Sequence, residues 1–436
     1  MDETKQKLLI ATGIFPPDIG GPATMLAHLA RSLQERGFEV KIITYSEVPS
    51  PVIPAEAGIQ VARINKNNKL KYFWQLWRLA RGTDLIYATD TYSVGYFVYL
   101  IKKITGKKYV LRFTGDSAWE TARTNGWTMD YIVDFQNKKY DFRIEKIKAR
   151  RNKILFNADK IIVDCNFNRQ LAEIIGVSAE KIEVVYNAVD FEKPHPDPLL
   201  RKERGTDGPT LSPYEGERWR EVYNQIKQKF SPHGEKIILI SCRLTPWKGV
   251  KEIIEVLPRL IEKIGPVNFV VLGEGNEMEN LKIVSRKLSV ENYVHFLGKV
   301  KHEETRAYFA VADCFVLNSQ YEGASHALLD AMQIGVPIIA TGVGGNPELI
   351  ENNKDGILVE YGNNLELLNA LVKILSDNPS CHSGPVSQHG VNSGGNPEGE
   401  SFAKMLANNA REKAKKFVWE AVVEKTEKVL NNSIKK

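Results

Sequence analysis

The sequence predicts an α/β protein built from two domains, each a Rossmann-like, doubly wound parallel sheet. Three observations support this prediction. The chain has 436 residues, enough for two or three domains with separate cores. Short apolar runs alternate with helical patterns, which is typical of parallel sheets with right-handed crossovers. Two polar tracts interrupt this alternation and divide the chain.

The first domain is predicted over residues 1–192. Its strand candidates are apolar runs that end in polar loops. A helix follows the first run and ends before Gly37, which is a typical residue after a helix C-terminus. The predicted strands are residues 8–12, 40–44, 84–88, 108–113, 160–164 and 182–186.

The second domain is predicted over residues 236–410 by the same pattern. A linker over 193–235 precedes it, and a final helix over 411–436 follows it, with apolar positions between Ala410 and Leu430. The predicted strands are residues 237–241, 267–272, 294–297, 313–317, 336–340 and 356–359.

Two tracts, 193–217 and 379–400, are rich in Pro, Gly and polar residues and cannot form a core. We predict loops or disorder in both, as insertions into the linker and before the final helix. Cys381, His382 and His389 lie together in the second tract, but its composition favours a chance grouping over a metal site.

Composition is that of an ordinary globular protein, with 43% apolar and 26% charged residues. The four cysteines are widely spaced without a Cys-x-x-Cys pair, which indicates reduced thiols in a cytosolic protein. The polar N-terminus does not resemble a signal peptide. The longest apolar stretch, 94–101, is far shorter than the roughly 20 residues of a membrane span. We therefore expect a cytoplasmic protein.

The most informative segment is 321–332, with the sequence YEGASHALLDAM. It predicts Glu322 in a loop and Asp330 on the helix that follows. The helix starts at the small residues Gly323, Ala324 and Ser325. Free N–H groups at such a start can hold phosphate oxygens. Eight helical positions span about 12 Å, beyond the roughly 5–9.5 Å between the carboxyls of a glycosidase. The two carboxylates are better suited to opposite ends of a nucleotide-diphosphate sugar.

This segment resembles the signature of the family-4 retaining glycosyltransferases, in which seven residues separate two glutamates. The resemblance implies that Glu322 faces the donor sugar and that Asp330, one methylene shorter than the family's Glu, binds the ribose hydroxyls. It also implies the GT-B architecture. In that architecture two Rossmann-like domains face each other across a cleft, and the last helix crosses back to the first domain.

A second motif, SCRLTPWKG over 241–249, follows an apolar run and precedes a helical pattern. Functional residues are common on such loops at the carboxyl ends of strands. In the resembling family an Arg and a Lys at this spacing hold the donor diphosphate, and Arg243 and Lys248 match them. Fixed cations stabilise the charge on a departing diphosphate.

Two further loops are assigned through the resemblance. Gly20 and Gly21, before the first helix, correspond to a loop that faces the donor diphosphate. The loop at Val300 resembles the one that meets the nucleotide base through backbone atoms.

The acceptor side is predicted at Thr114, Gly115 and Asp116, which follow a strand of the first domain. Many relatives carry a His in this region, and this loop has none. Either these residues substitute for it or the acceptor is handled differently, and Asp116 is equally suited to cap a helix.

The net charge is +6, and basic residues cluster at 68–81 and 138–153 among aromatic side chains. Such segments can contact anionic lipid at the inner face of a membrane, although most basic amphipathic helices simply solvate their charged face. No Asp-x-Asp pair or His/Cys cluster indicates a metal, so no metal or cofactor is expected, and no nucleic acid partner is expected.

The predicted function is transfer of a sugar from a nucleotide-diphosphate donor to a glycan, lipid-linked or other hydroxyl acceptor. The transferase is predicted to be metal-independent and retaining, with catalytic residues Arg243, Lys248 and Glu322. The alternatives are a GT-B sugar-nucleotide epimerase and a glycan-binding protein without turnover. A dinucleotide dehydrogenase is least favoured because the Gly-x-Gly-x-x-Gly fingerprint is absent.

Overall fold

The computed structural model describes residues 5–18, 21–46, 53–55, 59–189, 213–377 and 401–435. The chain divides into two compact units. The first unit contains Met1–Ala188 and Trp419–Lys436, and the second contains Val189–Val418. Residues 193–212 and 379–400 lie outside the described residues, and so do the predictions made for them, including the grouping of Cys381, His382 and His389.

The first unit holds an eight-stranded sheet in the order β3-β4-β2-β1-β5-β6-β7-β8. Its strand pairs are parallel, apart from the antiparallel pair of β3 and β4. The strands are β1 (Lys7–Ala11), β2 (Glu39–Ser46), β3 (Ile53–Ala55), β4 (Ile59–Asn65), β5 (Leu85–Ala88), β6 (Tyr109–Phe113), β7 (Lys160–Val163) and β8 (Ile182–Val184). The helices are α1 (Gly21–Glu35), α2 (Lys69–Ala80), α3 (Gly95–Thr105), α4 (Ser117–Thr124), α5 (Ile132–Asn137), α6 (Phe142–Asn157) and α7 (Asn166–Ile175).

The second unit begins with α8 (Pro213–Phe230) and holds a six-stranded parallel sheet in the order β11-β10-β9-β12-β13-β14. Its strands are β9 (Lys236–Ser241), β10 (Val267–Leu272), β11 (Val294–Gly298), β12 (Cys314–Leu317), β13 (Ile338–Thr341) and β14 (Ile357–Val359). Its helices are α9 (Val250–Ile264), α10 (Met278–Lys287), α11 (His302–Val311), α12 (His326–Ile334), α13 (Asn346–Leu349), α14 (Asn364–Asp377) and α15 (Phe402–Ala414).

The predicted fold class is confirmed, since both sheets are Rossmann-like and all twelve predicted strands are present. Central strands such as β5 and β6 are buried along their whole length, because helices cover both faces of a parallel sheet. Their continuous apolar runs are what made these strands visible in the sequence.

Three details differ from the prediction. Strands β3 and β4 were missed, because β4 lies near the sheet edge and mixes buried with exposed residues instead of forming one apolar run. Residues 213–217, predicted as loop or disorder, begin α8. This helix packs against α11, and its residues Ile226 and Phe230 are buried.

The single helix predicted between Ala410 and Leu430 is two helices, α15 and α16 (Trp419–Lys435). Helix α16 packs in the first unit, where its residue Leu430 is fully buried in the same core cluster as Leu8. The chain thus returns to the first unit at its C-terminal end.

Candidate functional site

The second unit has a topological switch point between β9 and β12. From β9 the chain continues to β10 on one side, whereas β12 lies on the other side of β9. Crossovers that leave in opposite directions place their helices on opposite faces, which opens a crevice beyond the carboxyl ends of the two strands. The loops that follow β9 and β12 meet there.

Gly249 and Asn318 hold these two loops together. Gly249 has a φ of +64°, and a Cβ built on it would lie 1.7 Å from the backbone oxygen of Asn318. The Asn318 side chain also donates a hydrogen bond of 3.1 Å to the Gly249 oxygen. A residue without a side chain is therefore required, which explains the glycine at the end of the motif 241–249.

This close approach brings a cation and a carboxylate into contact. Lys248 Nζ lies 2.5 Å from Glu322 Oε1, and the hydroxyl of Ser319 donates to the same oxygen at 2.6 Å. The Lys248 side chain is 15% exposed and the Glu322 side chain 9%, while Ser319 is completely buried. Low exposure strengthens the attraction between the two charges.

The loop after β13 fixes the backbone around Glu322. The amide of Gly345 donates to the Glu322 backbone oxygen at 3.0 Å, and a Cβ on Gly344 would lie 2.0 Å from that oxygen. The Thr341 hydroxyl donates to the backbone oxygen of Ser319 at 2.6 Å. Three loops, after β9, β12 and β13, therefore position the Lys248–Glu322 pair.

Arg243 lies in the same loop as Lys248 and is exposed, with its guanidinium carbon 5.9 Å from the centre of the Trp247 ring. Its neighbour Cys242 is half-buried, and burial raises the pKa of its thiol to about 12, against a smaller lowering by Lys248. A thiol with this pKa remains protonated at neutral pH and is a poor nucleophile.

The start of α12 carries the predicted donor-binding residues. Gly323 and Ala324 are buried in the loop before it, and the hydroxyl of Ser325 caps the helix by accepting from the Leu328 amide at 3.4 Å. Asp330 is half-buried on the helix. Because α12 begins only at His326, the separation of about 12 Å expected for eight helical positions does not apply between Glu322 and Asp330.

The remaining predicted donor residues lie on other elements of the chain. Val300 is half-buried after the edge strand β11, from which β10 separates β9. Gly21 is the first residue of α1 in the first unit, and Gly20 lies outside the described residues. Their roles stay predictions.

The predicted acceptor residues follow β6, where Thr114 is exposed and Gly115 half-buried. Asp116 is fully buried and caps α4 by accepting from the Ala118 amide at 3.0 Å. Its second oxygen accepts from Gln136 at 2.8 Å and from Arg151 at 2.5 Å. Of the two interpretations left open for Asp116, the structure shows the helix cap, and its carboxylate joins α4, α5 and α6. A role for Asp116 toward an acceptor stays a prediction.

The sequence analysis did not single out two polar residues, Ser319 and Asp90, each of which lies two positions after the end of a buried strand. Ser319 lies shortly after the end of β12 and precedes Glu322 by three residues, and Asp90 lies at the same distance after β5. Asp90 accepts from the amides of Tyr92 and Ser93 and from the Ser93 hydroxyl. The available signal was a polar residue just beyond a buried strand.

Within the described residues, no group of three or more His, Cys, Asp or Glu side chains could hold a metal ion. None of the described helices is both long and apolar enough to cross a membrane.

Two family models match this chain. The family model described as Glycosyl transferases group 1 matches residues 222–383, and the one described as Glycosyltransferase Family 4 matches residues 19–193. An uncharacterised glycosyltransferase of Methanocaldococcus jannaschii is 23% identical, with 96% of each chain covered. A GDP-mannose-dependent phosphatidylinositol monomannoside mannosyltransferase of Mycobacterium tuberculosis is 25% identical, with 46% of this chain and 48% of the relative covered.

Among solved structures, Anabaena HepE in complex with UDP and glucose has the same fold. The superposition covers 98% of this chain and 100% of that chain, with a TM-score of 0.72 and 18% identity.

Proposed function

The chain belongs to the group 1 glycosyltransferases, and from this we propose that it transfers a sugar from a nucleotide-diphosphate donor to a hydroxyl acceptor with retention of anomeric configuration. The observation that carries the proposal is the contact of 2.5 Å between Lys248 and Glu322 at the switch point of the second sheet. Ligands of open α/β sheets bind at such points.

In this proposal Lys248 exchanges partners when the donor binds. Without donor, Glu322 neutralises its ammonium group at 2.5 Å. A donor diphosphate carries more negative charge and replaces the carboxylate, which is then free to orient the sugar. Arg243, exposed in the same loop, supplies a second cation. Cations fixed before the reaction stabilise the charge that grows on the leaving diphosphate.

The remaining donor contacts follow from the motif. Asp330 would bind the ribose hydroxyls, and the amides at Gly323, Ala324 and Ser325 would help to place the donor. During transfer the bond between the anomeric carbon and the diphosphate breaks, and the acceptor oxygen attacks from the same face. A phosphate oxygen of the donor takes the acceptor proton. We propose that no metal takes part, because Lys248 and Arg243 can neutralise the diphosphate.

The acceptor is proposed to be a glycan or a lipid-linked hydroxyl compound. The name of the Mycobacterium relative, a mannosyltransferase for phosphatidylinositol monomannoside, supports a lipid acceptor. The basic segments of the first unit support peripheral contact with an anionic membrane. A sugar-nucleotide epimerase or a binding protein without turnover is less favoured, because both family models describe transferases.

The proposal is tested by turnover. UDP-, GDP- and ADP-sugars are incubated with the protein and a panel of glycan and lipid acceptors, with and without EDTA, and release of nucleoside diphosphate is followed. We expect one donor to react equally well with EDTA, and NMR of the product to show the anomeric configuration of that donor. Inversion would contradict the retaining mechanism, and a product that is only a donor epimer would favour the epimerase.

A further inference from the structure

Helix α2 exposes an unusual face. Tyr72, Leu76 and Ala80 pack inward at helical spacing, as expected for one buried stripe. The opposite face carries Leu70 at 76% exposure and Trp74 at 60%. Large apolar side chains one turn apart and open to solvent are unfavourable in water, so this face is suited to an apolar environment.

The charged residues in and beside the same helix are all positive. Residues 66–81 contain five cations and no acidic residue. Lys69 and Lys71 lie in the first turn, where the helix dipole disfavours positive charge. Arg78 is exposed, and the guanidinium carbon of Arg81 lies 5.0 Å from the centre of the Trp77 ring. Trp beside Lys and Arg is typical of protein surfaces at the lipid–water boundary.

Three other large apolar residues of the first unit are exposed. Tyr92 is 71% exposed in the loop after β5, Met129 is 76% exposed after α4, and Phe142 is 79% exposed at the start of α6. Exposed cations accompany Phe142, since Lys146 Nζ lies 5.9 Å from the centre of its ring and Lys139 precedes it. We call Leu70, Trp74, Tyr92 and Phe142, which lie in the first half of α2, just before α3 and at the start of α6, the edge patch.

The topology places the edge patch on one side of the first sheet, along the carboxyl ends of its strands. The crossovers through α2, through α3 and through α6 all run in the same direction across the sheet, so these helices share a face. Ring contacts agree, because the ring centres of Phe73 and Phe97 are 6.0 Å apart and the Arg150 guanidinium lies 4.6 Å from the centre of the Tyr96 ring.

The start of each helix lies at the carboxyl edge of the sheet, since each returns the chain to the amino end of the next strand. Helix α6 has 16 residues and is about 24 Å long, longer than the strands beside it, so Phe142 reaches that edge. Thr114 lies at the same edge, after β6.

We propose that the edge patch inserts into the surface of an anionic lipid bilayer, with the Lys and Arg side chains around it contacting lipid phosphates. This names a partner of the proposed transferase and rests on that function, because the predicted acceptor loop lies at the same edge. An acceptor hydroxyl presented at a bilayer surface would then be delivered to the protein by docking.

Vesicle sedimentation tests the proposal without donor or acceptor. We expect the full chain to bind vesicles containing phosphatidylglycerol, to bind pure phosphatidylcholine vesicles more weakly, and to lose binding as salt rises. The double variant Leu70→Ser/Trp74→Ser should bind about tenfold more weakly or worse, because two apolar side chains no longer insert.

Ile104→Ser is the matched control. Ile104 is 64% exposed on α3, next to that helix's C-terminus at the opposite edge of the same sheet, so its loss should leave vesicle binding unchanged. Failure of the wild type to bind either vesicle, or equal binding by the double variant and Ile104→Ser, would overturn the proposal. A dimer that the double variant abolishes, without vesicle binding, would assign the patch to self-association instead. Neither result would affect the donor-site assignment.

Discussion

At the residue scale, the second unit brings Lys248 into contact with Glu322, which lies 74 positions later in the sequence and is itself bonded to the nearby Ser319. Lys248 and Ser319 both contact the Glu322 carboxylate, at 2.5 and 2.6 Å respectively. Only Glu322 and Lys248 were predicted. Ser319 acts through Glu322, so we regard it as a positioning residue.

Ser319→Ala should lower turnover about tenfold to a hundredfold, because a hydrogen bond to a charged group contributes roughly 1.5–3 kcal/mol. Donor affinity should change little, since Lys248 and Arg243 remain. Steady-state kinetics and calorimetry on the same samples separate the two effects.

Ser285→Ala is its control, because Ser285 is also buried and donates to the Lys282 oxygen within α10. Its loss should affect stability alone. Equal loss of turnover in both variants would mean that Ser319 has only a structural role.

Glu322→Gln should separate binding from turnover. Removing the carboxylate leaves Lys248 without its anionic partner, so nucleoside diphosphate should bind about tenfold more tightly. Turnover should fall at least about a hundredfold, because the group that orients the sugar is lost. Calorimetry with UDP, GDP and ADP measures the first effect. Weaker diphosphate binding in this variant would contradict the partner exchange.

At the element scale, the fold was readable because central parallel strands are buried on both faces and appear as apolar runs. Strand β4 was not predicted because Gln60 and Arg63 interrupt its apolar residues. Its position in the sequence alone could not decide the role of Asp116, since a polar residue after a strand can face a ligand or cap the next helix. The deciding partners, Gln136 and Arg151, lie 20 and 35 residues away in the sequence.

The loop between β9 and α9 should depend on Gly249. Gly249→Ala combines left-handed backbone strain with a Cβ that would lie 1.7 Å from the Asn318 oxygen, so we expect destabilisation of about 3 kcal/mol and loss of donor binding. Gly106→Ala is the matched control, because Gly106 has a φ of +71° and nothing within 4 Å of its Cβ position. It should cost only about 1–2 kcal/mol. Denaturant unfolding measures the free energy of unfolding of both variants. An equal decrease in Gly249→Ala and Gly106→Ala would contradict the steric explanation.

At the scale of the whole molecule, the chain completes its first unit with its last helix. Helix α16 packs beside α1, where the ring centres of His28 and Trp419 are 4.3 Å apart. Arg36, just after α1, pairs with both Glu420 and Glu427 of α16. The core of the first unit therefore depends on residues more than 200 positions beyond its last strand.

Leu430→Ala should destabilise the first unit by about 2–5 kcal/mol, because it removes a fully buried side chain from the core cluster that contains Leu8. Leu365→Ala, at a residue that is 63% exposed on α14, should change stability by less than about 0.5 kcal/mol. Hydrogen exchange of the slowest-exchanging backbone amides of β1 measures the loss of stability in each variant. Unchanged protection of β1 in Leu430→Ala would contradict the packing described for α16.

The most direct test of the donor site is calorimetric binding of UDP-, GDP- and ADP-sugars to the wild type, Lys248→Ala and Lys251→Ala, each with EDTA. Lys251 is the matched control, a 53% exposed lysine on α9 that pairs with Glu255. We expect one donor to bind the wild type and Lys251→Ala equally, and Lys248→Ala about tenfold to a hundredfold more weakly. Absence of binding to folded wild type, or equal binding by both variants, would contradict the assignment of Lys248 to the donor diphosphate.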